Sequence, residues 1–469
     1  MPTLTNHAMP VANPPASGSR LALAGLSLVM LLSSLGTGVA NVALPTLQRA
    51  FDAPFGAVQW VVLAYLLAVT TLVVSAGRLG DLVGRRRALL AGVALFTLAS
   101  ALSAAAPGLW TLVVARALQG VGAAAMMALS LALVVEVVPA SGAGRGMGLL
   151  GSTSAVGTAL GPSLGGLLIA AFDWRAVFLV NVPLGVAALV VGVRSLPADR
   201  PAPADSRPRF DLPGTLALVL TLGAAALAVT AGPGGPRVVG LGLPAVAAAG
   251  AVLLVAVERR APAPLMDPAL LRDRRLVPSL ATATLVSTVM MAMLVVGPFH
   301  LSRALGLGTA AVGLVMSAGP AVVALVGVPA GHLADRFGAR RLTLAGLGAM
   351  LLGALLLSLA PVRLGVAGYL GPILVMTLGY ALFQTANNTA VMAGADPARR
   401  GVVSGMLNLS RNLGLIAGAS AMGAVFALAS GTGTAGGSAA GMHATFAVAA
   451  ALLLVALAVA VRGTRAARR

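Results

Sequence analysis

Apolar runs long enough to cross a bilayer alternate along this chain with short polar stretches. A membrane-spanning helix needs roughly 20 predominantly apolar residues. About fourteen segments approach that length: 21–45, 58–76, 88–106, 109–135, 146–171, 176–193, 213–231, 238–257, 276–301, 310–330, 342–360, 365–391, 401–429 and 442–461. Two longer polar breaks, 195–212 and 258–275, divide the series. They predict an N-terminal six-helix bundle at 21–194, two extra helices within 213–257, and a C-terminal six-helix bundle at 276–462. The extra pair carries almost no polar side chain and is expected at the lipid-facing periphery, lining no cavity. Residues 1–20, with Pro10, Pro14 and Pro15, read as a disordered tail, and 463–469 as a second short tail.

One polar break occurs twice. Gly77-Arg78-Leu79-Gly80-Asp81-Leu82-Val83-Gly84-Arg85-Arg86-Arg87 is matched by Gly331-His332-Leu333-Ala334-Asp335-Arg336-Phe337-Gly338-Ala339-Arg340-Arg341. A charged, glycine-bounded loop repeated between apolar segments indicates two related helical bundles, the architecture of a secondary transporter. The glycines let two helix ends approach closely. Asp81 is expected near the start of the following helix, where the helix dipole favours a carboxylate. Arg85 to Arg87 are its candidate partners, or partners of anionic lipid headgroups. Glu136 falls at about the same depth and is a second candidate partner.

Composition narrows the class. Hydrophobic residues are 58% of the 469 and charged residues only 9%, with a mean hydropathy of +0.98. A soluble domain carries about 25% charge, so an all-α polytopic membrane protein is expected. The chain has no cysteine, hence no disulfide and no thiolate metal site. It also has no lysine, since all 31 basic residues are arginine. That excludes a Walker A nucleotide loop and a lysine Schiff base, so no ATP and no cofactor is expected.

The net charge of +19 looks like a nucleic-acid signal until its distribution is considered. With the N-terminus in the cytoplasm, the external loops hold Arg49, Arg175, Arg237, Arg303 and Arg363, and helix interiors hold Arg116 and Arg411. About 24 of the 31 then lie on the cytoplasmic side, as the positive-inside rule requires. Both termini are therefore expected in the cytoplasm, and no nucleic-acid partner is expected. His7, His300, His332 and His443 are scattered and form no catalytic or metal-binding pattern, so no enzyme is expected.

Polar residues inside the apolar segments are candidates for function. Arg116, followed by Gln119, Gly120 and Gly122, falls about 10 Å inside its segment at 1.5 Å per residue. Tyr380, Gln384, Asn387 and Asn388 share one helix face, and Asn408, Arg411 and Asn412 share another. Interhelical hydrogen bonding, worth about 0.6 kcal/mol per contact, accounts for the asparagines equally well. An embedded arginine needs a partner or a watery cavity. Gly157, Gly161 and Gly165, with Pro162 and Gly166, form a small-residue stripe for close helix packing. No acidic residue falls in the central membrane zone: Asp52 and Asp173 lie at one edge, and Asp81, Glu136 and Asp335 at the other.

Several of these motifs resemble those of the major facilitator superfamily. The duplicated loop is similar to its signature loop, Arg116 to Gly122 to its fourth-helix arginine-glutamine-glycine motif, and Gly157 to Gly166 to the antiporter motif of its drug exporters. Asn41-Val42-Ala43-Leu44-Pro45, Gln59-Trp60-Val61-Val62-Leu63-Ala64-Tyr65 and Trp174-Arg175-Ala176-Val177-Phe178-Leu179-Val180-Asn181-Val182-Pro183 resemble the fourteen-helix drug:proton antiporter family of QacA- and EmrB-like exporters. The resemblance implies a fourteen-helix major facilitator fold in a bacterial inner membrane. It implies a latch for the outward-facing state at Gly77, Asp81, Gly84, Arg85, Arg86 and Glu136, with Gly331, Asp335, Gly338 and Arg340 as its second copy. It implies coupling or cavity roles for Asn41, Arg116, Gln119, Gln384, Asn388, Asn408, Arg411 and Asn412. One departure stands out: Gly36 occupies the position where that family usually has an aspartate, and Gly38 replaces a threonine.

The expected function is proton-driven export of small amphipathic compounds by alternating access, with the proton gradient as energy source and a monomer as the working unit. A dedicated exporter of one anionic or neutral metabolite and an uncoupled facilitator are the alternatives. An intramembrane enzyme or a non-transporting receptor has no motif in its favour. Without a central carboxylate, protons would have to travel on Asp81, Glu136 or the substrate.

Overall fold

The computed structural model describes residues 16–138, 143–199, 212–230, 273, 276–394, 400–431 and 435–466. Among them it is helical without a strand. The first half contains α1 (Ala16–Ala50), α2 (Trp60–Val83), α3 (Arg85–Ala104), α4 (Leu109–Val137), α5 (Ala143–Ala171) and α6 (Asn181–Ser195). Then comes α7 (Leu212–Thr230). The second half contains α8 (Leu276–Phe299), α9 (Thr309–Phe337), α10 (Ala339–Leu359), α11 (Gly365–Gly394), α12 (Arg400–Ala417, continued through a wide turn into Gly423–Ser430) and α13 (Ala435–Ala466). Twelve helices among the described residues are long and apolar enough to span a membrane, six in each half. The first tail is shorter than expected, because α1 is already helical from Ala16. The second predicted extra helix, 238–257, and the breaks at 200–211 and 258–272 lie outside the described residues, so fourteen spans are not established.

The duplicated loops fold alike. Each is a single glycine between two helices, Gly84 at φ +104° and Gly338 at φ +84°. Only glycine adopts that region without strain, so each loop turns on one residue and holds two helix ends side by side. These turns mark one face of the bundle, the loop face. The connections after α1, α3, α5, α8, α10 and α12 mark the far face.

The glycine stripe of α5 explains how the halves meet. A methyl group at Gly157 would lie 2.7 Å from the Leu31 carbonyl oxygen, and one at Gly161 would lie 2.9 Å from Gly38 Cα. α5 therefore lies directly on the α1 backbone, and a Cβ at Gly38 would meet the Thr158 carbonyl oxygen at 3.3 Å. Gly166 faces the other way, where a methyl group would sit 2.7 Å from the Thr309 carbonyl and 2.8 Å from Gly313 Cα on α9. Pro162 belongs to the same seam, its carbonyl 2.5 Å from the place of a Gly313 methyl. One helix thus packs backbone-to-backbone on its own half and on the other.

α7 packs along α2 and the far part of α12, across the junction of the halves. Ala217, Thr221 and Ala226 are buried there, while Leu216, Val219, Leu220 and Leu227 face outward. Its outward face suits lipid, as expected, but its inner face covers a seam between the two bundles.

Gly161→Val is expected to destabilise the fold, since overpacking a tight contact costs about 1–3 kcal/mol. Gly151→Val, on the same helix with nothing within 4 Å, should leave the thermal midpoint unchanged. Equal midpoints for both variants would remove the backbone-contact argument.

Candidate functional site

At the loop face, Arg85 joins two carboxylates. Its Nε donates to Asp81 Oδ1 at 2.9 Å and its Nη1 to Glu136 Oε1 at 2.6 Å. The geometry corrects the expected place of Asp81, which lies in the last turn of α2 and not at the start of α3. The carboxylate at the start of α3 is Asp199, which sequence reasoning missed. Its Oδ1 accepts from the Arg86 backbone N–H at 2.7 Å and its Oδ2 from that of Arg87 at 3.1 Å. Gly84 makes this capture possible, because any Cβ there would lie 2.4 Å from the Asp199 carboxylate. Arg86 does not pair with Asp81 either. Its Nη2 donates to the Val193 carbonyl at 2.6 Å. In the second copy Arg340 is exposed and nothing lies within 4 Å of a Cβ at Gly338.

Arg116 is fully buried within the first half. Its Nε donates to the Val61 carbonyl at 2.9 Å, Nη1 to Gln119 Oε1 at 2.5 Å, and Nη2 to the Gly36 carbonyl at 3.1 Å. The Tyr65 ring covers the guanidinium at 4.2 Å, and Gln119 Nε2 donates onward to Ser100 Oγ at 2.7 Å. Among the described residues no carboxylate is paired with Arg116. Gly36 thus contributes only its backbone oxygen to this set. A Cβ there would press on Phe96 at 3.2 Å. Asn41 is buried nearby, its Nδ2 donating to the Thr37 carbonyl at 3.0 Å within its own helix.

The second arginine is half-buried and lines a crevice. With the Gln384 amide oriented to its neighbours, its nitrogen donates to Tyr380 Oη at 2.6 Å. Its oxygen accepts from Arg411 Nη2 at 3.0 Å and Nη1 at 3.2 Å. Ser287, Asn387 and Asn388 line the same crevice, about 10 Å³ in volume and room for about one water. Asn387 Nδ2 donates to the Ser279 carbonyl at 3.4 Å. Asn412 is half-buried beside Arg411 and Asn408 is exposed.

At the far face the halves are joined by contacts that the sequence did not advertise. Phe55 packs on Phe299 and Phe426 at ring-centroid distances of 4.7 and 5.4 Å. Buried Gln59 donates to the Ala419 carbonyl at 2.7 Å, and Arg303 donates to Gln48. A cavity of about 670 Å³ lies between α1, α8, α9 and the end of α12, bordered by Phe55 and Phe426. The loop-face pairs of Asp81, Arg85, Arg86 and Asp199, by contrast, stay within the first half.

Comparison with known proteins agrees with this architecture. Residues 26–419 match the sequence profile of the Major Facilitator Superfamily. Multidrug resistance protein Stp of Mycobacterium tuberculosis is 37% identical over 414 residues, 86% of this chain and 74% of that protein. Riboflavin transporter RibZ of Clostridioides difficile is 30% identical over 400 residues, 84% of this chain and 86% of that one. Among solved structures, an inward-facing bacterial homologue of the lysosomal transporter Spinster superposes with a TM-score of 0.71 at 14% identity, over 96% of this chain and 98% of that one.

The loop-face pair is too exposed to serve stability. Both partners of Asp81–Arg85 are about 40% exposed, and such pairs contribute about 0–1 kcal/mol. Asp81→Asn should therefore leave thermal unfolding nearly unchanged while lowering substrate flux in sealed vesicles severely. Asp199→Ala, which removes a helix cap, should lower stability by about 0.5–2 kcal/mol. Wild-type flux in Asp81→Asn at normal membrane levels would refute the latch.

Proposed function

Because the chain belongs to the Major Facilitator Superfamily, we propose that this multi-pass membrane transporter is a secondary active exporter of small amphipathic compounds, neutral or anionic, working by alternating access in a bacterial inner membrane. The loop face is cytoplasmic in this reading, which puts about 24 of the 31 arginines inside. The far face is external. The structure then corresponds to a state shut on the outside, with Phe55, Phe299, Phe426 and Gln59 forming the outer gate.

The observation that carries the substrate class is the charge inventory of the membrane interior. Arg116 and Arg411 are embedded there, and among the described residues neither pairs with a carboxylate. A permanent lipophilic cation would enter a field of its own sign. Arg411 is the accessible one of the two, since Arg116 is sealed under Tyr65. Arg411, Gln384 and Tyr380 would hold the polar or anionic end of the substrate, and apolar residues of the halves its body. The names of Stp and RibZ support both a multidrug reading and a dedicated one. The guanidinium-lined crevice at Arg411 favours the narrower range. Proton coupling would run through the edge acids Asp81 and Glu136 or through the substrate itself.

The test is a susceptibility and dye-efflux panel in an efflux-deficient host. Expression should lower accumulation of anionic and neutral amphipaths, an uncoupler should abolish that effect, and Arg411→Gln should reduce it about tenfold or more, the loss expected for one charge-assisted contact. Efflux of a quaternary ammonium dye that is unaffected by Arg411→Gln would contradict the charge argument.

A further inference from the structure

The cavity at the external ends of the two halves has a chemistry of its own. Its only charged lining residues among those described are Arg49, at the end of α1, and Arg303, after α8. They come from opposite halves and face one space, and like charges repel. Arg303 is held toward the junction by Gln48, and Arg49 Nε donates to the Pro45 carbonyl at 3.3 Å. Neither is in an ion pair among the described residues.

A further observation concerns what could neutralise them. The N-terminus of the 29-residue α9 opens onto the cavity, through Gly308 and Thr309, and has no side-chain cap. Its free N–H groups and dipole favour an anion. Val42, Phe55, Val312 and Phe426 supply an apolar part of the wall, and Thr46, Gln48 and Ser302 a polar part. At about 670 Å³ the space is the size of a drug-sized ligand site.

We propose that this outer cavity is a binding site for an amphipathic organic anion, its charged group between Arg49 and Arg303 and its apolar body against Phe55 and Phe426. An anion seated there bridges the halves and cancels the repulsion between the two guanidinium groups. It therefore stabilises the closed outer gate. The anionic group belongs to exported compound already released or to the phosphate of an outer-leaflet lipid. The first source rests on the exporter reading, whereas binding itself does not.

Carboxyfluorescein, an aromatic carboxylate that does not cross membranes, is a suitable probe. Its fluorescence anisotropy would be followed on the full chain in phosphatidylcholine nanodiscs, with cationic rhodamine 6G as the opposite-charge control. Saturable binding is expected, weakened about tenfold or more by Arg49→Gln and by Arg303→Gln, and unchanged by Arg363→Gln, an exposed arginine on the same face but outside the cavity. Rhodamine 6G should show no dependence on either arginine. Repeating the titration in nanodiscs containing phosphatidylglycerol separates the sources: loss of carboxyfluorescein binding assigns the site to the lipid phosphate, and retained binding assigns it to a soluble anion. No saturable binding to the parent protein, or equal affinity in the parent and both cavity variants, overturns the proposal. Such a failure leaves the efflux measurements standing, and absent efflux would leave this binding result standing.

Discussion

Embedded arginines that pair with no carboxylate among the described residues are the constraint around which the structure is arranged. A charge at the centre of a spanning helix costs several kcal/mol unless it is paired. Arg116 is satisfied entirely by neutral acceptors, the carbonyls of Gly36 and Val61 and the amide of Gln119. This works because three helices converge on one guanidinium. Arg411 follows the same rule with fewer partners, through a glutamine oriented by Tyr380. Arg116 therefore ties α1, α2 and α4 into one body, while Arg411 keeps donor capacity beside a crevice. The first arginine is sealed within its half, and in the proposed reading the second meets the substrate.

The two halves share a backbone plan but differ in how their loops are finished. Gly84 and Gly338 make the same turn. Only in the first is the following helix start seen to be closed by a carboxylate, that of Asp199. The first half is consequently tied at the loop face by Asp199, with the exposed pairs of Arg85 to Asp81 and Glu136 beside it. It meets the second half through the Gly166–Gly313 seam and the Phe55, Phe299 and Phe426 contacts. A bundle rigid within each half and joined by a glycine-lined seam has the parts that rocking motion needs.

Much of this was legible in the chain because it is periodic or local. Thirteen of the predicted spans coincide with observed helices, since about 20 apolar residues have few other fates, and the fourteenth, 238–257, lies outside the described residues. The repeated loop and the α5 glycine stripe were readable because each depends on residues close in sequence. Asp199 was not, because it lies over a hundred positions from the N–H groups it accepts from, with a single aspartate as its signal. Gln59, Phe55, Phe299 and Phe426 were equally hidden, since an aromatic in an apolar segment looks the same whether it meets lipid or the other half. The place of Asp81 was misjudged by one turn, because the helix runs on through Val83 to the glycine. The role of Gly36 became clear only with Arg116 beside it.

The central claim is that the halves alternate between an outer-closed and an outer-open arrangement, with the loop-face latch setting the balance. The cysteine-free chain allows spin-label pairs to report this directly. Labels at Trp110→Cys and Leu364→Cys would span the far face, and labels at Val83→Cys and Phe337→Cys the loop face. Pulsed dipolar spectroscopy in nanodiscs should give two distance populations for each pair, changing in opposite directions. Asp81→Asn should move both pairs toward the far-closed population. One unchanging distance on each face, insensitive to Asp81→Asn, would contradict the account.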